Sequence, residues 1–292
     1  MVGTRGSQLA LAQARWVIEQ LRANTNRGGF ITRTIDSRPK PGPNDPALGD
    51  GIFVRQIQRA LLQEKVDIGV HSLKDLPTAG MPGLTIAAIP RRADAREALV
   101  GGTLESLHEG ARVGTSSPRR IAQLRRLRPD LDVVPLRGNI PTRIRKVRTG
   151  EYAAAMLAAA GLERLGISAD EVLDFGQALP APGQGALAVE IRELDPAIGE
   201  LVSTIQDRAT LLAVVAERAV LRELGGGCLV PISAYGFVEG ETLTLEASVT
   251  STDGKKEVRH RAQGSASDPM EVAAKVVQAL IDGGSQELLE AR

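Results

Sequence analysis

The stretch DIGVHSLKD, residues 67–75, has the pattern of a short apolar strand that ends in polar side chains. An amphipathic helix pattern over residues 53–63 comes just before it. The same elements occur at the start of the chain, where a strand at 2–4 leads to a helix that Ser7 caps. Short apolar runs that alternate with amphipathic helices are typical of α/β folds. Further strands are predicted at residues 84–89, 131–136, 152–158 and 186–191.

The C-terminal part of the chain changes character after a helix predicted at residues 207–224. Apolar and polar residues then alternate in three runs, which is typical of an antiparallel sheet with one buried face. A last helix pattern follows these runs. The runs cover 232–238, 243–249 and 257–262, and the helix covers 269–281. We therefore expect a separate, small α+β domain in this part.

The composition excludes several classes of protein. The formal net charge of the 292 residues is +1, which gives no overall attraction to nucleic acid or to an anionic membrane. Aromatic residues are 2% of the chain, too few for platforms that stack single-stranded bases. The apolar runs are too short to span a bilayer, and the first residues lack a signal-peptide pattern. We expect a cytoplasmic protein that binds no nucleic acid, no membrane and no metal.

The one cysteine of the chain, Cys228, lies within LGGGCLVP, residues 224–231. Without a second cysteine it cannot form a disulfide inside the chain, and the glycines before it free the backbone. Two interpretations stay open on these residues alone. The thiol is presented for chemistry, or Cys228 is a small core residue after glycines that end a helix.

Positive charge is concentrated between Arg119 and Arg148, a segment that holds ten Arg or Lys residues against two Asp. Most such runs form the solvated face of a helix. We assign that simpler interpretation to Arg125, Arg126, Arg128, Arg145 and Arg148.

Four other arginines of the segment lie where predicted strands end. Arg119 and Arg120 follow the small-residue turn GTSSP, residues 114–118, and Arg137 ends the next strand. Arg143 lies about one turn into the helix that follows. Backbone N–H groups at a helix start bind anions, and guanidinium groups bind carboxylate or phosphate in bidentate fashion. These residues predict a polyanionic ligand.

Six motifs together resemble the porphobilinogen deaminase family, also called hydroxymethylbilane synthases. They span nearly the whole chain in the order and spacing of that family. One motif alone is a weak signal, whereas six in register are a strong one. They are VGTRGS (2–7), VHSLKDLP (70–77), VGTSSPRR (113–120), LRGN (136–139), PGQGA (182–186) and GGCLVP (226–231).

The resemblance implies a three-domain fold. Two similar α/β domains of the periplasmic-binding-protein type, with mixed sheets, enclose a cleft. The third is a small α+β domain with a three-stranded antiparallel sheet, and it carries the cysteine. The implied boundaries are residues 1–90 with 186–204 for the first, 91–185 for the second and 205–292 for the third.

The resemblance also implies a transferase of tetrapyrrole and heme biosynthesis. The family joins four porphobilinogen molecules head to tail, loses ammonia at each step and releases 1-hydroxymethylbilane by hydrolysis. Its primer is a dipyrromethane cofactor held by a thioether, here to Cys228, since a thiolate adds readily to the electrophile that deamination forms. We further expect a monomer that hands its product over to uroporphyrinogen III synthase.

The family's catalytic carboxylate corresponds to Asp75, although an Asp at this place can also cap a turn. Each porphobilinogen carries an acetate and a propionate, which explains the need for arginines. For Arg164 a surface helix position is the alternative. By motif position, the cofactor would contact Cys228, Ser72, Lys74, Asp75, Thr115, Ser116, Arg119, Arg120, Arg137 and Gly138, and the substrate would contact Arg5, Gln13, Arg143, Arg164 and Gln184.

The chain departs from the family pattern around residues 37–50, a stretch with four prolines and no periodicity. We interpret it as a mobile surface loop and a candidate lid. Members commonly carry Thr-x-Gly-Asp where this chain has DSRP, residues 36–39, and Gly-Lys-Gly where it has GDG, residues 49–51.

A non-catalytic carboxylate-binding protein of the same two-domain architecture is the competing class, since fold alone does not fix function. Such a protein would carry an export signal and would lack a third domain with a cysteine. The sequence has the opposite pattern on both counts, so it favours the enzyme.

Overall fold

The structure is a computed structural model that describes residues 1–25, 28–35, 52–225 and 230–290. The strands are β1 (Val2–Arg5), β2 (Thr32–Ile35), β3 (Ile68–Ser72), β4 (Leu84–Ala88), β5 (Glu97–Val100), β6 (Arg112–Gly114), β7 (Asp132–Val134), β8 (Ala154–Ala158), β9 (Glu171–Val172), β10 (Leu187–Arg192), β11 (Ile232–Glu239), β12 (Thr242–Thr250) and β13 (Glu257–Ser265). The helices are α1 (Gln8–Thr25), α2 (Ile52–Leu62), α3 (Pro118–Leu127), α4 (Ile140–Arg148), α5 (Ala159–Glu163), α6 (Pro196–Ser203), α7 (Arg208–Glu223), α8 (Pro269–Asp282) and α9 (Ser285–Glu290). Within the described ranges, every helix is too short or too polar to cross a membrane.

The chain forms two compact units, of which the first contains residues 1–92 and 186–211. Its five-stranded sheet has the order β2-β1-β3-β10-β4, with β1 parallel to β2 and β3, and β10 antiparallel to β3 and β4. The core on one face of the sheet contains residues of α1, and a second cluster on α2 includes Ile57 and Leu61. The predicted cap of α1 is confirmed, since the Ala10 N–H donates to Ser7 Oγ at 3.2 Å.

The second unit contains residues 93–185 and 212–292. One of its sheets has five strands in the order β7-β6-β8-β5-β9, with β6 parallel to β7 and β8, and β5 antiparallel to β8 and β9. The three-stranded antiparallel sheet β11-β12-β13 belongs to the same unit and packs its apolar face on α7 and α8. Gln123 on α3 donates to Ser233 Oγ on β11 at 3.0 Å, which joins the two parts of this unit.

The predicted fold class is confirmed: two mixed five-stranded sheets with helices, and a three-stranded antiparallel sheet in the C-terminal part. The strand pattern at 67–75 is β3 followed by a 3₁₀ turn, Leu73–Asp75. The three-domain division stays a prediction, because the structure separates into two units and places residues 93–185 and 212–292 in one of them.

Candidate active site

A fixed turn presents the carboxylate of Asp75 in the first unit. β3 runs into the 3₁₀ turn Leu73–Asp75, in which the Leu73 N–H donates to Ala186 O at 3.0 Å and the Leu76 N–H donates to Leu73 O at 3.1 Å. The Leu73 side chain is fully buried, whereas Asp75 is exposed. The backbone of the turn is therefore held from within the unit while the carboxylate remains accessible.

Other predicted residues of this unit lie around the same strand end. The buried Gln13 of α1 donates from Nε2 to Ser72 Oγ at 2.9 Å. Arg5 ends β1, the neighbour of β3; burial lowers the pKa of Arg5, and the negative charge of Asp75 opposes that shift. Lys74 is half-buried in the turn itself. The structure thus brings Arg5 and Asp75 together beside Ser72 and Gln13.

In the second unit, two predicted turns lie side by side at the end of β6. Ser116 donates from Oγ to Leu136 O at 3.0 Å, and the Thr115 N–H donates to Val134 O at 3.0 Å. Thr115 is fully buried and its hydroxyl accepts from the Ser117 N–H at 3.3 Å. The turn before α3 and the LRGN segment are therefore joined by hydrogen bonds.

Arg119 and Arg120 lie in the first turn of α3. Both side chains are buried and pair with the carboxylate of Glu97 in β5. Arg119 Nη2 lies 2.6 Å from Glu97 Oε1, and Arg120 Nε lies 2.9 Å from Glu97 Oε2. Arg119 also donates from Nη1 to Leu179 O at 3.0 Å, and Arg120 donates from Nη1 to Met156 O at 3.2 Å. Burial lowers the pKa of Arg119, and the Glu97 charge opposes that shift.

The start of α4 holds the remaining residues of this turn region. The Thr142 N–H donates to the Asn139 carbonyl oxygen Oδ1 at 2.9 Å, which caps the helix. Gly138 has φ +115°, and a side chain there would meet Thr142 Cγ2 at 2.9 Å, so only glycine fits. Arg143 donates from Nε to Gly138 O at 2.8 Å, whereas Arg137 is exposed. Burial lowers the pKa of Arg143, and the positive charge of Arg120 lowers it further.

The Glu97 cluster, defined as Glu97, Arg119, Arg120 and Arg143, therefore carries three guanidinium groups and one carboxylate. Its formal charge is +2, since guanidinium groups stay protonated and Glu97 neutralises one of the three. Charges that are largely removed from water need a counter-charge. The arrangement fits a ligand with two carboxylates.

Two predicted substrate residues donate hydrogen bonds to backbone carbonyl oxygens. Arg164 follows α5 and donates from Nη2 to Gly185 O at 2.8 Å, and burial lowers its pKa to about 10. Gln184 is fully buried and donates from Nε2 to Ala95 O at 2.8 Å. Arg164 is thus more than a surface helix residue, while a ligand contact by Gln184 stays a prediction.

Comparison with known proteins identifies the family. The family model described as "Porphobilinogen deaminase, dipyromethane cofactor binding domain" matches residues 1–200, and "Porphobilinogen deaminase, C-terminal domain" matches residues 211–282.

The chain belongs to the porphobilinogen deaminase family.

Relatives in the porphobilinogen deaminase family match over the full length of the chain. The porphobilinogen deaminase of Thermus thermophilus is 46% identical, over 99% of this chain and 97% of its own length. That of Deinococcus radiodurans is 45% identical over 99% and 97%, respectively. Among solved structures, a putative methionine-binding lipoprotein of Bacillus subtilis is similar with 11% identity and a TM-score of 0.40, over 69% of this chain and 88% of that one.

The dipyrromethane cofactor of porphobilinogen deaminases fits the residues that the structure describes. It is built from porphobilinogen, so it carries acetate and propionate groups that can balance the +2 charge of the Glu97 cluster. Cys228, the predicted attachment point, lies outside the described residues, as does the candidate lid at 37–50. The thioether and the lid stay predictions.

The expected solvated face is confirmed for Arg125, Arg145 and Arg148, which are exposed, and is wrong for two other arginines. Arg126 is half-buried and donates from Nη2 to Gln177 O at 2.6 Å, with Glu257 at 3.6 Å from Nε. Arg128 donates to Leu107 O at 3.0 Å. The physical reason is that neighbouring loops and the C-terminal sheet cover this end of α3.

Glu97 is a residue of the candidate site that sequence analysis missed. It is completely buried at the start of β5, which continues with the apolar residues Ala98, Leu99 and Val100. A carboxylate that opens a buried strand needs a cationic partner, because an unpaired charge is too costly inside a protein. That pattern indicates a cationic partner, but which cation it is depends on tertiary contacts.

Proposed function

We propose that this chain catalyses the porphobilinogen deaminase reaction. Four porphobilinogen molecules are condensed head to tail, ammonia leaves at each step, and hydrolysis releases 1-hydroxymethylbilane. The observation that carries the proposal is the Glu97 cluster, in which Arg119 and Arg120 share one carboxylate and a third guanidinium group, that of Arg143, lies within electrostatic range of Arg120. Each porphobilinogen brings two carboxylates, which matches this excess of charge.

Binding of the substrate is the task of the arginines. Arg143 and Arg164 now donate to neutral carbonyl oxygens, Gly138 O and Gly185 O. Exchange of such a contact for a carboxylate gives a charge-assisted hydrogen bond, which contributes roughly 1.5–3 kcal/mol. Arg5 and the exposed Arg137 would bind further carboxylates, with Gln13 and Gln184 as hydrogen-bond donors by motif position.

The chemical step depends on Asp75. The aminomethyl group of the substrate is an ammonium ion at neutral pH. When its carbon–nitrogen bond breaks, ammonia departs with the bonding electron pair, and a cation conjugated with the pyrrole nitrogen remains. The Asp75 carboxylate accepts a hydrogen bond from the pyrrole N–H and stabilises that cation. Its position is set by a turn that the backbone hydrogen bonds of Leu73 and Leu76 fix. Arg5 lies within electrostatic range of Asp75, so a cationic group adjoins the carboxylate at this strand end.

The dipyrromethane cofactor supplies, when bound, a pyrrole carbon that acts as the nucleophile of the first condensation. In our proposal, Cys228 anchors the cofactor. The residues that hold it are Ser72, Lys74, Thr115, Ser116, Arg119, Arg120, Arg137 and Gly138. Glu97 keeps the guanidinium groups of Arg119 and Arg120 at fixed positions before any ligand arrives.

The deciding experiment combines turnover with intact mass. The purified protein is incubated with porphobilinogen, ammonia and hydroxymethylbilane are measured, and the mass is recorded before and after incubation. We expect a mass increase for the dipyrromethane that disappears in Cys228→Ser. Binding of porphobilinogen without ammonia release or adduct would instead support a carboxylate-binding protein.

We further propose that the protein works as a cytoplasmic monomer that passes its product to uroporphyrinogen III synthase. A single cysteine among 292 residues suits a reducing compartment. The product is an unstable linear tetrapyrrole, so an enzyme that closes the ring must consume it. Light scattering of the holoenzyme tests the monomer, and the ratio of ring isomers with and without added synthase tests the hand-over.

A further inference from the structure

A buried polar group lies behind the strand that leads to Asp75. His71 is the residue before Ser72 on β3, and its Nε2 lies 3.0 Å from Glu190 Oε2 on β10. The other oxygen of Glu190 accepts from Gln58 Nε2 on α2 at 2.9 Å. All three side chains are at most 5% exposed. We call His71, Glu190 and Gln58 the His71 group. Its three polar side chains are almost entirely removed from solvent.

The sheet is built to admit this group. β3 and β10 pair in antiparallel register with Ala188 opposite His71 and Glu190 opposite Gly69. A side chain on residue 69 would lie 3.1 Å from His71 Nε2 and 2.8 Å from Ile57 Cγ2 on α2. Glycine at this position leaves the space into which the imidazole folds back towards Glu190.

The end of β3 is therefore held on both faces. Successive side chains of a strand point to opposite faces of the sheet. Ser72 is held on one face by Gln13 of α1, and His71 is held on the other by Glu190 and through it by Gln58 of α2. The backbone that follows these two residues forms the turn with Asp75.

We propose that His71 is a positioning residue for the catalytic turn: its contact with Glu190 fixes the end of β3 and thereby the place of the Asp75 carboxylate. The proposal rests on the role of Asp75 proposed above. A carboxylate shifted by about 1 Å loses much of its effect on the reacting cation, at a cost of up to about 100-fold in rate. Substrate affinity, which depends on the arginines, stays nearly unchanged.

A buried pair of this kind also stabilises or destabilises the fold, so the test has to separate the two effects. Loss of one partner leaves an uncompensated buried group, whereas replacement of both by apolar residues is often neutral for stability. The double variant His71→Leu/Glu190→Leu is therefore made together with Gln58→Leu, as a triple variant, so that it removes the contact and leaves no buried amide without its acceptor. His71→Gln retains an N–H donor towards Glu190 and serves as the conservative rescue.

Turnover of the cofactor-loaded enzymes is measured with kcat and KM separated, together with Tm and intact mass. We expect the triple variant to lose about 10- to 100-fold in kcat with KM nearly constant, and His71→Gln to recover most of it. Val66→Ala, in the α2-side core, is the control for stability alone and should keep its kcat. Wild-type kcat in the triple variant, or an equal loss in Val66→Ala, would overturn the proposal.

Two further measurements keep the outcomes apart. If the triple variant fails to fold, His71→Leu alone decides, because it removes the imidazole and leaves the contact between Glu190 and Gln58 in place. An unchanged kcat in His71→Leu then overturns the positioning role. If Asp75→Asn keeps full turnover, the proposed role of Asp75 fails first, whatever the His71 variants do.

Discussion

Asp75 is the residue whose negative charge we propose to stabilise the reacting cation. Asp75→Asn keeps the size and one acceptor oxygen but cannot offset the cation that forms as ammonia leaves. We expect kcat to fall on the order of 10²–10³-fold, as for the loss of one preorganised electrostatic group, with substrate still bound by the arginines. The measurement is steady-state hydroxymethylbilane formation, read as uroporphyrin after cyclisation and oxidation.

Glu105→Gln is the matched control for this variant, since Glu105 is an exposed carboxylate of the second unit. It should retain wild-type turnover. Full activity of Asp75→Asn would assign Asp75 a structural role as a turn cap.

Glu97 is a second residue whose charge decides the behaviour of its surroundings. Glu97→Gln leaves Arg119 and Arg120 buried beside a neutral amide, so two guanidinium charges lose their partner. Breaking a buried ion pair by removing one charge typically costs about 3–5 kcal/mol of unfolding free energy. Urea unfolding should show this loss. Glu151→Gln, which removes an exposed pair with Lys146 at 2.9 Å, should change stability by less than about 1 kcal/mol.

At the scale of elements, helix α4 offers an internal comparison between a buried and an exposed arginine. Arg143 is half-buried on Gly138 O, and Arg145 lies two residues further on the exposed side. We expect Arg143→Leu to raise KM for porphobilinogen roughly 10- to 100-fold, which corresponds to one charge-assisted hydrogen bond. Arg145→Leu should leave KM unchanged.

Equal effects of the two α4 variants would mean that the arginines act only as a diffuse positive field. Arg126 does not serve as a silent control, although sequence analysis placed it on an outer face. Because Arg126 contacts Gln177 and Glu257, Arg126→Leu would also lower the stability of the protein.

Strong periodicity made most elements predictable. The three runs with alternating polarity became β11, β12 and β13, and the helix predicted at 207–224 became α7. The strand pattern at 67–75 was decisive because its apolar residues end abruptly at polar ones. β5 and β9 were missed, since four and two residues are too short for a pattern.

Side-chain partners were less predictable than elements. The motif positions predicted Arg5, Asp75, Ser72 and Gln13 as site residues but did not pair them. In the structure, Gln13 donates to Ser72 Oγ and Arg5 lies within electrostatic range of Asp75. Arg119 and Arg120 on helix α3 were expected to bind a ligand, and in the structure both pair with Glu97 of strand β5. Which charge meets which arginine depends on strand order, and strand order in a mixed sheet is not encoded in any local pattern.

At the scale of the whole molecule, binding of the cofactor at these arginines, as we propose it, would couple the excess of desolvated positive charge to stability. Burial lowers the pKa of Arg119 and Arg143, and it lowers the pKa of Arg164 to about 10, so each guanidinium is less favourable here than in water. A bound carboxylate offsets part of that cost. The loaded protein should therefore unfold at a higher temperature than the same chain without cofactor.

Two charge-assisted hydrogen bonds of roughly 1.5–3 kcal/mol each would raise Tm by about 5–10 °C in a protein of this size. The comparison uses one sequence in two states: protein made in cells that cannot form porphobilinogen, and the same preparation after incubation with porphobilinogen, with intact mass to verify loading. Because the sequence is identical, no substitution can cause the difference. Added salt should reduce the gain only slightly, since buried charges are poorly screened. An equal Tm in both states would show that the arginines are balanced within the protein itself, and the ligand would then have to bind through Asp75 and the other exposed groups.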